Sequence, residues 1–330
     1  MIESCRYIKE RRNYNLEIRV LAIINPTSGR GNITGYVEQI KKYLEKQNMT
    51  VKVKFTKKEY NARKIVINNI EETDLILVCG GDGTFNETVS ALMELETKDI
   101  SIAYIPMGTT NDLAQSLKIP IKDISVTKNL LKSKAKVVDV GKFNNKYFCY
   151  VAAFGIITDV AYKTSQKAKN KYGRLAYYLR AIGELFRIRK YKTKTKIKFD
   201  DEEIEGEFIY GGISNSESIA GFKWYNQEDI SLDDGKFEAL FIRKPKRISG
   251  YFRLLSDFKN KDYMANRDFV YFKANKITIT TAKNVDWTID GEYAGNLNFV
   301  NIENCNKAIE LAICDSAKKQ IDSRKESKNE

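Results

Sequence analysis

The chain of 330 residues contains no histidine. That absence excludes Ser–His–Asp triads, imidazole bases and His-ligated metals together. Acid–base chemistry must fall to carboxylates, Lys, Tyr, Cys or a metal. Cysteine is sparse: the five, at 5, 79, 149, 305 and 314, are scattered and form no C-x-x-C pair. This speaks against a disulfide framework or zinc site and for a reducing, cytoplasmic compartment. Proline occupies only 4 positions, which excludes collagen-like and Pro-rich architectures. No run approaches the roughly 18 apolar residues of a membrane-spanning helix. The N-terminal MIESCRYIKERRNYNLE has no apolar stretch of the kind a secretory leader needs, so none is expected. What is present, 42% hydrophobic and 30% charged residues, describes a folded chain, with a length that suggests about two domains.

The net charge of +13 is concentrated. Residues 160–199 hold thirteen Lys or Arg against one acid, Glu184. Within that segment Leu175, Leu179, Ile182 and Phe186 mark one helical face, and KYKTKTKIKF (190–199) alternates like a strand with a cationic side. Two readings stand. One is an edge strand guarded by lysines against aggregation. The other is a docking face for an anionic partner. No zinc-finger, RRM-type or helix-turn-helix signature accompanies the charge, so a nucleic acid is not the expected partner. An anionic membrane surface fits, at up to about 1 kcal/mol per basic residue.

The first half alternates strands and helices. Apolar RVLAIIN (19–25), VKVKF (51–55), DLILVC (74–79) and SIAYIP (101–106) read as strands. Helical patterns fall at Val37, Ile40 and Leu44, near 61–70, from about 85, and after 110 and 121. This predicts a mainly parallel sheet covered on both faces, with ligands bound where strands turn into helices. From about 136 the pattern becomes hairpin-like, beginning with the Asn144-Asn145 turn. Strand-like runs follow at 192–199, 204–213, 236–243, 268–272, 276–281, 285–290 and 298–302, with one helix at 247–258. The polar tail 316–330 is expected to be disordered.

The most chemically loaded stretch is Gly80-Gly81-Asp82-Gly83-Thr84-Phe85-Asn86-Glu87, directly after a buried strand. Glycines at a strand-to-helix turn let backbone N–H groups approach an anion, and the helix N-terminus adds partial positive charge. Asp82 in such a turn implies a cation as well, with Mg²⁺ the natural choice beside phosphate. Thr84-x-x-Glu87 also has the form of a capping box, which is a purely structural use of both residues. The spacing matches neither a Walker A loop nor a Rossmann GxGxxG.

The octet resembles the signature of the diacylglycerol kinase catalytic-domain family, which includes soluble bacterial lipid kinases; NAD kinases and phosphofructokinases share a looser GGDG. Further segments strengthen the resemblance, which covers about 18–315. Asn25-Pro26-Thr27-Ser28-Gly29 matches NPxSG, Thr56 stands where a nucleotide-contacting Thr is expected, and Pro106 to Ala114 matches PxGTxNDxA. Val138-Asp139-Val140-Gly141 matches VDxG, Asp233-Asp234-Gly235 the DDG segment, and Asp290-Gly291-Glu292 the late DGE.

The resemblance implies an α/β N-terminal domain of NAD kinase/phosphofructokinase-like type at 1–135, with a returning strand from 305–315. It also implies a mainly antiparallel β-sandwich lipid-binding domain at 136–304. ATP would contact Asn25, Pro26, Thr27, Ser28, Gly29, Thr56, Gly80, Gly81, Asp82, Gly83, Thr84, Phe85, Asn86 and Thr109. Thr109 is a candidate N-cap with Asp112 at the N3 position. Asp82, Asp112 and Asp139 would gather near one site, where three carboxylates call for Mg²⁺. A structural Mg²⁺ would take Ser231, the Asp234 carboxylate and the Lys236 carbonyl. Glu292 would be the catalytic base, with Asp82 tied to the metal.

The implied activity is transfer of the γ-phosphoryl of ATP to the primary hydroxyl of diacylglycerol. A sphingoid base, a glycolipid alcohol or NAD are alternative acceptors, and a non-catalytic lipid or nucleotide sensor is an alternative class. A bacterial, cytoplasmic, peripherally membrane-associated protein follows, with a homodimer as the base-rate assembly.

Overall fold

The computed structural model describes residues 17–28, 33–95, 100–108, 111–117, 119, 127, 134–155, 192–215, 218–219, 222–223, 231–260 and 267–313. Gly29, Thr109, the helices expected after 121 and at 175–186, and the tail lie outside the described residues. The chain divides into two units, Met1–Val140 with Asn306–Glu330, and Gly141–Cys305.

In the first unit β1 (Ile18–Ile24), β3 (Leu75–Gly80) and β4 (Ser101–Pro106) are nearly continuous apolar runs, buried along almost their whole length. That pattern belongs to parallel strands covered on both faces. The pairing bears this out. β2 (Met49–Phe55) runs parallel to β1, β1 to β3, and β3 to β4, and the end of β15 (Glu292–Ile313) runs parallel to β4 through Glu310 and Leu311. Register between β1 and β3 is pinned by buried Asp74, which accepts from the Arg19 backbone N–H at 2.8 Å and from its guanidinium at 3.0 and 2.8 Å. A bidentate charge-assisted contact of this kind is among the stronger hydrogen bonds.

Helices α1 (Ile33–Glu45), α2 (Ala62–Ile67) and α3 (Asp82–Glu94) follow their strands. α1 buries Ile40 and Leu44 against Ile18, Val20, Leu75 and Leu77 of the sheet. α2 is capped by Asn61, whose Oδ1 accepts from Lys64 N–H at 3.2 Å. α4 (Asp112–Ser116) is a single short turn after β4.

The second unit is antiparallel. Beyond β5 (Lys134–Phe143) and β6 (Lys146–Phe148), which form the expected Asn144-Asn145 hairpin, lie β7 (Val151–Gly155), β8 (Thr193–Phe199) and β9 (Glu202–Ser214). The short pair β10 (Ser218–Ile219) and β11 (Phe222–Lys223) comes next. β12 (Phe237–Arg243), α5 (Ile248–Asn260), β13 (Phe269–Ala274) and β14 (Lys276–Ile289) follow. β7 and β8 each pair with both β9 and β14. The strands enclose an aromatic core of Phe143, Phe148, Phe154, Phe208, Phe241 and Trp287, with Trp287 4.8 Å from Phe154 and 5.2 Å from Phe143. Burial of each such side chain is worth about 1.5–3 kcal/mol.

Four expectations need correction. The lysine-alternating strand β8 is not an edge, because β9 and β14 pair with it on its two sides. Nor is its polar side simply cationic. Lys192 pairs with Glu207 at 3.2 Å, Lys196 with Glu203 and with Glu205 at 2.5 and 3.4 Å, and Lys198 with Glu203 at 3.4 Å. The runs 276–281 and 285–290 are one strand, β14, with an irregularity between Thr280 and Val285 where it pairs with β15. Likewise the run 298–302 and the returning strand expected in 305–315 fall in one strand, β15, which ends at Ile313.

Candidate active site

In the first unit, the C-terminal ends of β1, β3 and β4 all release the chain into turns, which is where ligands of parallel α/β sheets bind. The turn after β1 is built on Asn25. Its backbone N–H donates to Cys79 carbonyl at 2.9 Å, and its Oδ1 accepts from the Thr27 N–H and hydroxyl at 3.0 and 2.8 Å. Its Nδ2 donates to Thr84 Oγ1 at 3.1 Å. Asn25 therefore fastens the Pro26-Thr27-Ser28 turn to the first turn of α3. Thr56 follows β2 and donates its N–H to Ile24 carbonyl at 2.9 Å.

The turn after β3 is Gly81, the N-cap of α3, with no side chain capping it. The turn after β4 contains Gly108, and the two meet backbone to backbone. A Cβ on Gly108 would lie 2.7 Å from the Gly81 Cα, and one on Gly81 would lie 3.2 Å from the Gly108 Cα. Only glycine permits this approach. Asn111 holds the second turn. It adopts the left-handed conformation (φ 51°), and its amide accepts from Gly108 N–H and donates to Gly108 carbonyl, both at 2.9 Å.

Asp82, the first residue of α3, faces α4. Its Oδ2 accepts from Asp112 N–H at 3.3 Å, whereas its Oδ1 is buried with no hydrogen-bond partner. Burial raises the Asp82 carboxyl above the usual carboxylate range, although the N–H groups of Asp112, Asn111 and Leu113 oppose this. Burial, and then the neighbouring Asp82 charge, push Asp112 up to about 6. Two neighbouring carboxylates, Asp112 buried and Asp82 half-buried with one orphaned oxygen, fit a divalent cation, because each ionised form is costly without one.

The local capping roles differ from those expected. Glu87 does not close a capping box with Thr84; it accepts from Ala62 N–H at 2.9 Å, at the start of α2. Asp112 is the first residue of α4, not its third, and Asn111 is the N-cap. The Phe85 ring is 1% exposed and packs on Tyr104 at 4.7 Å, so that side chain belongs to the core. Asn86 accepts from the Ser90 hydroxyl at 3.3 Å. Gly83 is exposed, and a Cβ placed on it would meet nothing within 4 Å. Asp139 is 1% exposed and accepts from Lys307 N–H at 2.7 Å. Among the described residues, no three acidic side chains gather as a metal-holding cluster, so Asp82 and Asp112 form a pair rather than a trio with Asp139.

In the second unit Asp290 and Gly291, both at positive φ (47° and 80°), make the two-residue turn between β14 and β15. This is the Asp-Gly form of a tight hairpin. The Asp290 carboxylate accepts from Cys149, Tyr150 and Val151 N–H groups at 2.6, 2.9 and 3.0 Å. That anchor fixes the turn and leaves Glu292, the next residue but one, exposed at the start of β15. In the DDG segment Asp234 accepts from Lys236 N–H at 3.0 Å, and the Ser231 hydroxyl donates to Asp233 at 2.5 Å. Sequence reasoning misses the structural weight of Asn111 and Asp290. Asn111 carries a local sign, since Asn tolerates the left-handed region; the partners of Asp290 lie about 140 residues away and leave none.

A parallel sheet ending in two touching glycine turns, with a helix N-terminus and an acidic pair, Asp82 and Asp112, beside them, is the framework of a phosphate-handling enzyme domain. The relatives are specific about which. The diacylglycerol kinase catalytic domain matches residues 19–143. A diacylglycerol kinase of Bacillus subtilis (strain 168) is 31% identical over 86% of this chain and 93% of its own length. One from Staphylococcus carnosus is 30% identical over 86% of this chain and 92% of its own. The crystal structure of a diacylglycerol kinase from Bacillus anthracis strain Sterne aligns at TM-score 0.69 and 25% identity, covering 90% of this chain and 98% of that one. The chain belongs to the diacylglycerol kinase catalytic-domain family.

Proposed function

We infer that this protein is an ATP-dependent diacylglycerol kinase, a phosphotransferase with an alcohol group as acceptor. The lipid's primary hydroxyl oxygen attacks the γ-phosphorus of ATP, the bond to the β,γ-bridging oxygen breaks, and ADP and phosphatidic acid result. The observation that carries the reading is the first unit's pair of touching glycine turns around Asp82, in a chain 31% identical to a diacylglycerol kinase.

The residues divide the work as follows. Backbone N–H groups of Gly80 to Thr84 and of Gly29 would hold phosphate oxygens, helped by the N-terminus of α3; the Ser28 N–H, expected to join them, donates instead to the Asn25 carbonyl at 3.2 Å. Asn25, Pro26, Thr27, Thr56 and Asn86 shape that wall, Phe85 supports it from the core, and Thr109 adds a hydroxyl. Asp82, supported by Asp112, would hold Mg²⁺. A bound Mg²⁺ supplies neutralisation of charge on the transferring phosphoryl group. Ser231, Asp234 and the Lys236 carbonyl would hold a second, structural Mg²⁺; an oxygen-only set suits that ion. Glu292 accepts the hydroxyl proton, the task that a chain without histidine leaves to a carboxylate. The first unit corresponds to the ATP-binding domain and the second, antiparallel unit to the lipid-binding one.

No helix among the described residues is long and apolar enough to cross a membrane. In this reading the enzyme meets its substrate at an anionic bilayer surface, from the cytoplasmic side, as a homodimer. Residues 160–191, rather than the ion-paired lysines of β8, carry the basic segment's share of that contact. The test is transfer from labelled ATP with Mg²⁺ to dioleoylglycerol, NAD and no acceptor in parallel. Label in phosphatidic acid supports the reading; label in the NAD product contradicts it.

A further inference from the structure

The loop after β12 and the first turns of α5 line a cavity of about 790 Å³ whose wall is strongly basic. Arg243, Lys244, Lys246, Arg247 and Arg253 contribute five positive charges, against the carboxylates of Glu207 and Asp268. Glu207 is already engaged with Lys192 at 3.2 Å. None of the five basic residues forms an ion pair among the described residues. Arg243 is instead held by stacking over the Phe208 ring at 5.1 Å and by donating to Glu205 carbonyl at 3.1 Å. The loop is fixed as well: Lys244 N–H donates to Glu207 carbonyl at 2.8 Å, and Gly250 packs so closely on Pro245 that a Cβ would lie 2.7 Å from the proline ring. The cavity thus presents uncompensated charge on an ordered frame.

Beside it, α5 breaks the usual rule for a surface helix. Tyr251 and Leu254 are buried, yet Ile248 and Phe252, four residues apart and so on one face, are 50% and 57% exposed. Exposed Arg247 and Arg253 flank them. A helix with outward large apolar side chains among cations is built to lie at a bilayer surface, with the apolar groups in the acyl boundary and the cations on lipid phosphates.

We propose that the basic cavity at Arg243–Arg253, with Ile248 and Phe252, is a docking surface for an anionic bilayer, binding the phosphate of a glycerophospholipid headgroup. Nothing in the catalytic reading uses these residues. The proposal deepens that reading, on which it rests for choosing a bilayer over a soluble phosphate. It also places membrane contact outside the 160–191 segment.

The test is sedimentation of the full chain, without ATP or acceptor, with phosphatidylcholine vesicles with or without phosphatidylglycerol. Wild type is expected to bind the anionic vesicles and not the neutral ones. At roughly fivefold per basic residue, Arg247→Ala with Arg253→Ala weakens that binding about 25-fold. Phe252→Ala weakens it about tenfold through lost apolar burial. It serves as the second variant if circular dichroism shows the double variant unfolded. Both variants should phosphorylate dioleoylglycerol in detergent micelles at the wild-type rate. Variants that bind anionic vesicles like wild type would overturn the proposal. So would release from vesicles by inorganic phosphate beyond the effect of chloride at equal ionic strength, because that marks a soluble-phosphate site. Absence of micellar turnover in wild type speaks against the kinase reading instead, and leaves the vesicle result to stand by itself.

Discussion

At the residue scale the carboxylates do different jobs. Asp112 has a folded pKa raised to about 6 from an ordinary value near 3.8. Its contribution to stability is therefore favourable below the ordinary carboxylate range and is lost as pH rises through about 6. Asp112→Asn should stabilise the nucleotide-free protein by about 1–3 kcal/mol at pH 8, with the gain vanishing near pH 3; equal denaturation midpoints for variant and wild type at pH 8 would contradict this. Asp290 has a structural part. Its three backbone donors make it structural, and Asp290→Ala should cost about 3–5 kcal/mol in chemical denaturation. The DGE motif is legible in sequence and points to Glu292. That its Asp is an anchor is not, because the hydrogen bonds reach across the chain to residues 149–151.

At the element scale the two glycine turns can be tested separately from the chemistry. Gly108→Ala forces a methyl against the Gly81 backbone, which no side-chain rotation relieves. It should abolish measurable ATP binding in calorimetry while the second unit keeps its fold. Gly83→Ala has open space around the new methyl and lies in a helix, where Gly to Ala is worth about 0.5–1 kcal/mol. The variant should be more stable and bind ATP at least tenfold more weakly, a combination expected only if the space at Gly83 is reserved for ligand. The parallel strands are legible because continuous apolar runs leave little choice. The capping is not. Thr84-x-x-Glu87 has the right spacing for a box, but Glu87 is taken by Ala62 N–H from another helix. The sequence of β14 reads as two strands because Ala282, Lys283 and Asn284 interrupt the alternation; pairing with β15 carries the strand through as an irregularity.

At the scale of the whole molecule, the charge pattern expected from sequence needs the most revision. The lysines of 192–198 read as part of one basic surface, but the glutamates of β9 neutralise three of them. A cationic wall lies instead around α5, where Arg247 and Arg253 stand far from the basic run in sequence. One-dimensional charge density does not see which opposite charges a neighbouring strand will supply. The order of motifs, by contrast, is readable directly and agrees with relatives covering 86% of the chain. Sequence can name the family because its signatures are turns, whose conformations depend on local residues.

The central claim is phosphoryl transfer to a lipid hydroxyl with Glu292 as the base. The most direct measurement is incorporation of label from γ-labelled ATP into phosphatidic acid in dioleoylglycerol micelles, wild type beside Glu292→Gln, with ATP affinity measured for both. Labelled phosphatidic acid is expected from wild type, and a turnover roughly 10²–10⁴-fold lower in the variant, with ATP binding unchanged. Label from the variant at the wild-type rate would contradict the role of Glu292, and no label from wild type that binds ATP would contradict the activity itself.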